Sequence, residues 1–203
     1  MLIVLEGIDG CGKTYHATQL AEHLGCKTLA FPDYSSDTGR LIKAYLKREW
    51  WVDGDLFEDV LDHAQAVALQ TMMLANRLEH YEELHQAAGS HSNHLVLQRY
   101  WQSGWVYGQI DGLDPRWLRD IHRTLPAADV TIILSVDPSE ALRRQAKRGA
   151  PLERYEGHLG ILKKADDLYH RLPQVGQKIV STEDGKNSVQ FFIRQLIGEG
   201  IPQ

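Results

Sequence analysis

The sequence predicts an α/β fold built on a parallel sheet of five strands with helices on both faces. Short apolar runs, typical of strands buried on both faces, alternate with stretches of helical periodicity. A glycine-rich segment directly follows the first of these runs. The alternation favours parallel strands, because parallel neighbours need long crossover connections. We find no internal repeat or low-complexity linker, so we expect one domain over residues 1–203.

The predicted elements follow one another along the chain. The first strand is Leu2 to Leu5, and the helix after it ends at Gly25, a residue suited to a left-handed C-cap. The other predicted strands are Thr28 to Phe31, Leu95 to Leu97, Val130 to Val136 and Gln177 to Val180. The other predicted helices are Thr38 to Leu46, Phe57 to Leu78, one that starts at Pro138, and Ser188 to Ile197, with loops at Asp53 to Asp55 and Gly89 to Asn93.

Composition narrows the function classes. The 203 residues include 22 Lys and Arg against 27 Asp and Glu, a formal net charge of −5. This balance argues against nucleic acid as a partner, and an anionic substrate must meet a local basic cluster. The two cysteines, Cys11 and Cys26, are too few for a disulfide scaffold, as expected for a cytoplasmic protein. The N-terminal apolar run is too short for a signal peptide, and no run approaches the ~20 residues of a membrane span.

The glycine-rich segment is the strongest functional signal. Residues 7–14 read G-I-D-G-C-G-K-T and match the phosphate-binding pattern G-x-x-x-x-G-K-[ST]. Its glycines let backbone N–H groups surround phosphate oxygens, and the following helix N-terminus adds positive potential. In this pattern the lysine reaches the β- and γ-phosphates and the hydroxyl ligates Mg²⁺. We therefore predict a three-layer P-loop NTPase fold that binds nucleotide phosphates through Gly7, Asp9, Gly10, Cys11, Gly12, Lys13 and Thr14, with Thr14 as the metal ligand. GTPases, ATPases and small-molecule kinases share this loop, so the pattern alone does not identify the reaction.

Further segments carry a family resemblance. Phe31-Pro32 follows the second strand, and Leu74-Ala-Asn-Arg77 lies in the long predicted helix. Gln98-Arg-Tyr100 follows the third strand, and Ser103-Gly104 and Tyr107 come after it. With the P-loop, and in this order, these segments resemble the thymidylate kinase family over nearly the whole chain. The resemblance implies direct in-line transfer of the γ-phosphoryl group of ATP to dTMP, with Mg²⁺ as cofactor.

The resemblance also implies roles on the acceptor side. Arg77 and Arg99 would meet the monophosphate, since a guanidinium binds phosphate oxygens in a two-pronged way. Asp9 would accept a hydrogen bond from the sugar 3′-hydroxyl. Further acceptor contacts are expected from Phe31, Arg40, Met73, Gln98, Ser103, Tyr107 and Tyr155.

Basic side chains are concentrated towards the end of the chain. Residues 143–154 include five basic side chains and one acidic side chain, that of Glu153. The resemblance identifies this segment as a small basic lid over about residues 143–157, which would close over the triphosphate and stabilise transition-state charge. A solvated helix face is the alternative for any one of them. The expected catalytic residues are Lys13, Arg99, Arg148 and Arg154, and Arg143 is an expected ATP contact.

The family pattern is not matched throughout, and two of the departures concern the metal and the base. Gln98 stands where the family has an aspartate, and an amide has no charge with which to hold Mg²⁺ or its water shell. Glu6 and Asp9 are the nearby carboxylates, and the sequence does not choose between them. Met73 stands where the family stacks a phenylalanine on the base, and a thioether contacts a ring face less specifically.

These departures leave other functions open. One alternative is a kinase for another or modified pyrimidine deoxynucleoside monophosphate. Another, of a different class, is a nucleotide-binding protein with weakened catalysis. A deoxynucleoside kinase is disfavoured, because two acceptor-side arginines suit a phosphate. Family members are commonly homodimers, and the apolar face of the long helix would either supply that interface or be buried in the protein's own core.

Overall fold

Five parallel strands form one sheet, which confirms the predicted fold class. The computed structural model describes residues 1–46, 58–149, 155, 157–172 and 177–198, so the predicted loop at Asp53 to Asp55 lies outside the described residues. The strands are β1 (Leu2–Glu6), β2 (Lys27–Ala30), β3 (Leu95–Gln98), β4 (Val130–Ser135) and β5 (Gln177–Ser181). Their order in the sheet is β2-β3-β1-β4-β5, so the P-loop follows the central strand.

Helices occupy most of the remaining described residues. They are α1 (Lys13–Leu24), α2 (Asp37–Leu46), α3 (Glu58–Leu78), α4 (Tyr81–Ala87), α5 (Trp101–Ile110), α6 (Pro115–Ile121), α7 (Pro138–Arg148), α8 (Leu159–His170) and α9 (Lys186–Leu196), with a 3₁₀ turn at His122–Thr124. The predicted helices α1, α2, α3, α7 and α9 are confirmed. Among the described residues, none of these helices has the length and apolarity needed to cross a bilayer.

The sequence analysis did not predict α4, α5, α6 and α8. Helices α4 and α6 have only seven residues each, too few for a periodic pattern to stand out. Helix α5 is buried all round from Gln102 to Gly108, so it lacks the polar face that marks an amphipathic helix. Helix α8 does have helical spacing, through Leu162, Ala165 and Tyr169, which sequence reasoning overlooked.

Both faces of the sheet are covered by helices. Successive side chains of a strand point to opposite faces. Leu2 of β1 belongs to one hydrophobic cluster with Leu84 of α4. Ile3 belongs to the other cluster, with Leu20 of α1 and Leu162 of α8. The arrangement is therefore the predicted three layers of helix, sheet and helix.

Helix α3 is covered, over much of its described face, by the chain itself. Leu69 packs with Ile42 and Tyr45 of α2, and Ala66 belongs to the large core cluster. Burial within the protein's own core thus accounts for these apolar positions. The expected homodimer stays a prediction.

The loop between β2 and α2 is fastened to α3 by one amide. Asn76 Oδ1 accepts a hydrogen bond from the Asp33 N–H (2.8 Å), and its Nδ2 donates to Ser36 Oγ (2.8 Å) and Thr38 Oγ1 (3.0 Å). Gly39, in the first turn of α2, lies so close to this loop that a Cβ would sit 1.7 Å from the Asp33 carbonyl oxygen. The segment after β2 and the A-N-R segment of α3 therefore form one packed unit.

We expect Gly39→Ala to lower the free energy of unfolding by about 2 kcal/mol, because backbone atoms block the added methyl group. Gly160→Ala in α8 is the matched control, since a Cβ there meets no atom within 4 Å and alanine favours a helix by up to about 1 kcal/mol. Urea unfolding followed by circular dichroism measures both changes. Wild-type stability of Gly39→Ala would contradict the close approach.

Two histidines are buried as neutral side chains. His16 of α1 interacts through Nδ1 with Gln190 Nε2 of α9 (2.9 Å). His122 in the 3₁₀ turn donates from Nδ1 to the Leu118 carbonyl oxygen (2.7 Å). Burial, together with nearby positive charges, lowers the pKa of His16 to about 4 and the pKa of His122 to about 3.

We expect the free energy of unfolding to decrease as the pH falls from 7.5 to 5. In the unfolded chain both imidazoles take up protons near the ordinary pKa of 6.5, whereas in the folded chain they stay neutral until about pH 4 and 3. The unfolded state then binds more protons, with a slope approaching about 1.4 kcal/mol per pH unit for each histidine. Urea titrations across this range measure the slope, and a flat profile would contradict neutral burial.

Candidate active site

A cavity of about 280 Å³ opens at the carboxyl ends of β1, β2 and β3. In open parallel sheets, ligands bind at this edge, beside the strand where the order of connection reverses. The predicted site residues that line the cavity are Asp9, Lys13, Thr14, Phe31, Met73, Arg77, Gln98, Arg99, Ser103, Tyr107 and Tyr155. Sequence reasoning did not single out the lining residues Ala30, Pro32, Tyr34, Leu46, Leu69, Gln70 and Gly104 for this site.

The P-loop forms the turn from β1 into α1. Gly7 and Gly10 adopt positive φ angles of 132° and 92°. A Cβ on Gly7 would lie 2.4 Å from the Leu134 carbonyl oxygen, and one on Gly10 would lie 2.5 Å from the Ala141 carbonyl oxygen. These glycines therefore meet two demands, because the loop needs left-handed backbone and also packs tightly on β4 and α7.

Lys13 folds back over the P-loop. Its Nζ donates to the carbonyl oxygens of Gly7 (3.0 Å) and Ile8 (2.9 Å) and lies 3.6 Å from Asp9 Oδ1. Thr14 is exposed and lines the cavity, whereas Cys11 is fully buried. Burial raises the pKa of the Cys11 thiol, so this residue acts as a small packing residue of the loop.

Arg99 lines the cavity and contacts several of the residues around it. It follows β3 with a positive φ of 68°, an uncommon conformation for a residue with a side chain. Its guanidinium forms an ion pair with Asp9 and donates to Ser103 Oγ (2.9 Å) and Tyr169 Oη (3.2 Å). Burial alone would raise the pKa of Asp9, but the charges of Arg99 and Lys13 outweigh it and lower that pKa to about 2. Asp9 is therefore ionised at neutral pH.

Glu6, the last residue of β1, is fully buried behind this wall. Its carboxylate accepts hydrogen bonds from the backbone N–H groups of Tyr100 (2.6 Å) and Ser103 (3.1 Å), from Ser103 Oγ (2.7 Å) and from Tyr169 Oη (3.0 Å). It caps the first turn of α5 from outside that helix. With all of these contacts, Glu6 has a structural role. Of the two carboxylates considered from sequence, Asp9 is therefore the one that lines the cavity.

Arg77 is buried on the opposite side of the cavity. Its Nη1 donates to the Met73 carbonyl oxygen (2.8 Å) and its Nη2 to the Tyr100 carbonyl oxygen (2.6 Å), while its guanidinium lies 5.8 Å from the centre of the Phe31 ring. Burial lowers the pKa of Arg77 to about 10, so the side chain remains charged at neutral pH. Of the three guanidinium nitrogens, Nε is the one that has no hydrogen-bond partner among the described residues.

Aromatic residues close a further side of the cavity. The rings of Tyr107 and Tyr155 lie 4.7 Å apart, and Tyr107 Oη is 3.4 Å from Asp9 Oδ2. Tyr155 Oη donates to Asp111 Oδ2 (2.5 Å). The two tyrosines, grouped only by resemblance in the sequence, are thus brought together.

Other predicted residues lie elsewhere. Arg40 pairs with Asp37 on the exposed surface and does not line the cavity. Arg143, in the helix α7, pairs with Glu140 (2.6 Å) and does not line it either. Arg148 ends α7, and its charge contributes to the low pKa of Asp9.

The segment predicted as a lid begins inside a helix. Residues 143–148 belong to α7, because an N-cap at Asp137 and a left-handed C-cap at Gly149 define that helix. The expected catalytic residue Arg154 lies outside the described residues. Sequence reasoning missed Gln145, whose Nε2 donates to the Asp9 carbonyl oxygen (2.7 Å) and so ties α7 to the P-loop.

Comparisons with known proteins agree on one family. The family model described as thymidylate kinase matches residues 5–195. The probable thymidylate kinase of Methanosphaera stadtmanae is 31% identical over 204 residues, which cover 97% of this chain and 97% of the relative. The thymidylate kinase of Arabidopsis thaliana is 29% identical over 207 residues, which cover 100% of this chain and 72% of the relative.

A solved structure has the same fold. The thymidylate kinase from Candida albicans matches this chain with a TM-score of 0.74 and 23% sequence identity, over 97% of this chain and 90% of that one. The sequence matches extend from the P-loop to the last helix, and the cavity contains both the P-loop lysine and the acceptor-side arginines. The chain therefore belongs to the thymidylate kinase family, whose members use ATP to phosphorylate dTMP to dTDP.

Proposed function

We propose that this cavity holds both substrates of the thymidylate kinase reaction, with ATP phosphates at the P-loop and dTMP at the opposite wall. The observation that carries the proposal is that one cavity is lined both by Lys13 and Thr14 of the P-loop and by Met73 and Arg77 of α3. Arg99 also lines it and follows β3, the strand between β1 and β2, a position suited to transfer between two bound phosphates. Membership of the family supports dTMP over the other acceptors and over a binding protein with weakened catalysis.

Arg99 meets the acceptor phosphate in this proposal. Asp9, Ser103 and Tyr169 already hold its guanidinium in place, so the side chain loses little conformational freedom when the substrate binds. A phosphate dianion competes with Asp9 for this guanidinium through charge-assisted bonds. The acceptor phosphate is already an anionic nucleophile, and the wall needs to supply no general base. Asp9 then becomes available to the sugar 3′-hydroxyl and to the metal.

Lys13 and the basic segment serve the donor side. When ATP binds, Lys13 Nζ leaves the carbonyl oxygens of Gly7 and Ile8 and donates to phosphate oxygens instead. There it stabilises the negative charge that develops during transfer. Arg148 and Arg154 are the proposed catalytic cations of the lid. The effect of Arg148 on the pKa of Asp9 supports its placement near the site.

The residues present fit Mg²⁺, which prefers hard oxygen ligands. Thr14 offers a hydroxyl and Asp9 an ionised carboxylate, both on the cavity wall. Gln98 adds only a neutral amide. When bound, Mg²⁺ neutralises charge on the β- and γ-phosphates. Among the described residues, no three His, Cys, Asp or Glu side chains are grouped so that they could hold a metal ion by themselves. We therefore propose that nucleotide and water supply most of the metal ligands.

The first test is turnover of Mg-ATP with dTMP, dUMP, dCMP and unphosphorylated thymidine as separate acceptors. We expect kcat/KM to be highest for dTMP and lower by on the order of 100-fold or more for thymidine, which cannot engage Arg99. Arg99→Met should reduce the difference in kcat/KM between dTMP and thymidine. Arg119→Met, a substitution on the exposed surface of α6, is the matched control and should leave the difference unchanged. Turnover with none of these acceptors would contradict the proposal.

The second test concerns the metal. We expect Asp9→Asn to raise the Mg²⁺ concentration that gives half-maximal kcat, because it removes the ionised carboxylate of the cavity wall. Gln98→Asp should lower that concentration by restoring a carboxylate at the end of β3. Gln86→Asp on the exposed face of α4 controls for added charge. Unchanged Mg²⁺ dependence in both site variants would exclude these residues from metal positioning.

Four expectations stay predictions. They are the single domain over residues 1–203, the cytoplasmic location, the homodimer and the absence of a nucleic-acid partner. The structure and the family match test none of them.

A further inference from the structure

Two buried polar atoms beside the cavity lack hydrogen-bond partners among the described residues. Gln70 is 2% exposed, lines the cavity, and has no partner at Oε1. His122 is 4% exposed and has none at Nε2. An unpaired buried polar atom is unfavourable, so two of them in one place point to a missing ligand group.

Gly104 brings these two atoms to one small space. A Cβ on Gly104 would lie 3.0 Å from Gln70 Oε1 and 3.2 Å from His122 Nε2, both closer than ordinary van der Waals contact. Because residue 104 has no side chain, the space beside both atoms is left clear. Gly104 itself lines the cavity, so the space belongs to the wall that faces the substrate.

Both unpartnered atoms are hydrogen-bond acceptors. The Leu118 carbonyl oxygen can only accept, so His122 Nδ1 must carry the hydrogen of their 2.7 Å bond. His122 is neutral at physiological pH, as its low pKa requires, and its Nε2 therefore presents a lone pair. Gln70 Oε1 is a carbonyl oxygen. The space beside Gly104 is therefore flanked by two acceptors and is complementary to an N–H donor.

The position of Gln70 on α3 places this space beside the base. Gln70, Met73 and Arg77 have the spacing i, i+3, i+7, and all three line the cavity from one face of α3. Met73 stands where the acceptor base is expected to pack. Gln70 lies one turn further along the helix, where the edge of a pyrimidine packed on Met73 would point.

We propose that Gln70 determines base selectivity by accepting a hydrogen bond from the N3–H of a pyrimidine imide. Thymine and uracil carry a hydrogen at N3, whereas cytosine has a lone pair there and would face the Gln70 oxygen with a second acceptor. Two opposed acceptors leave a buried group unpaired, and this is the situation that produces strong rejection of an analogue. The proposal rests on dTMP as the acceptor.

His122 presents a second acceptor to the same group. Its Nε2 lies beside the position that a Gly104 side chain would occupy, as Gln70 Oε1 does, and no hydrogen bond joins the two atoms. An N–H donor in this space therefore meets two lone pairs, whereas the N3 lone pair of cytosine would oppose both.

The test compares dTMP with N3-methyl-dTMP, which lacks the N3 hydrogen, by calorimetric binding to the wild-type protein and to Gln70→Leu. For the wild type we expect the methylated ligand to bind at least about 10-fold more weakly. For Gln70→Leu we expect the two Kd values to agree within about 3-fold, with dTMP itself weakened by about 10-fold. Gln65→Leu, the same substitution elsewhere on α3, is the matched control and should retain the wild-type ratio.

The binding of ATP and the thermal unfolding of each variant show that the fold is intact. Equal binding of both ligands by the wild type would overturn the role of Gln70, and so would an unchanged ratio in Gln70→Leu. Failure of the wild type to bind dTMP at all would instead overturn the acceptor assignment, and the inference with it.

A second variant tests the contribution of His122. His122→Phe keeps an aromatic ring but removes Nε2, together with the Nδ1–H that bonds the Leu118 carbonyl oxygen. We expect the preference for dTMP over dCMP in kcat/KM to fall by about 10-fold while the Kd for ATP stays constant, because one of the two acceptors is lost. An unchanged preference with intact ATP binding would overturn the role of His122 in base selectivity.

Discussion

The buried carboxylate of Glu6 joins the parts of the molecule on which the site depends. It lies at the end of the central strand and receives four hydrogen bonds, from the start of α5, from Ser103 and from Tyr169 of α8. A carboxylate this deeply buried is tolerated only when its acceptor sites are filled, so these partners have little freedom to move. Ser103 and Tyr169 also accept hydrogen bonds from Arg99. The carboxylate that binds no substrate therefore orients the arginine that we expect to bind one.

The second constraint is the balance of charge around Arg99. Without a phosphate in the cavity, Asp9 neutralises this guanidinium, and Lys13 is held by the carbonyl oxygens of its own loop. The cations are thus preorganised and already partly desolvated. In the proposed reaction, phosphate oxygens would replace these existing partners rather than bulk water, which reduces the reorganisation needed during transfer. The left-handed backbone of Arg99 fits this role, since unusual backbone conformations are retained where the surrounding contacts demand them.

The residues that differ from the family pattern are distributed around this core. Gln98 and Met73 line the cavity, but neither takes part in the network that joins Glu6, Ser103, Tyr169 and Arg99. Loss of the family aspartate therefore changes the charge near the metal without loosening the arginine. In our proposal, Met73 likewise leaves the selection of the base to the polar groups Gln70 and His122 at the edge of the ring. Phosphate chemistry and base selectivity would then depend on different walls of one cavity.

Local sequence patterns determined the P-loop, the strands and the amphipathic helices, because each depends on neighbours in the chain. The spacing of residues 7–14 matches the phosphate-binding loop, and an apolar run as short as Leu2 to Leu5 is typical of a buried strand. Arg99 and Tyr107, which the family segments singled out, both line the cavity. Tertiary structure alone decided which carboxylate is structural and which faces the substrate, since Glu6 and Asp9 are three positions apart and differ only in what packs around them. It also decided that Arg40 and Arg143 pair at the surface, and that Gln70 and His122, 52 positions apart in the chain, meet beside Gly104. Long-range packing sets these contacts, and no local spacing encodes them.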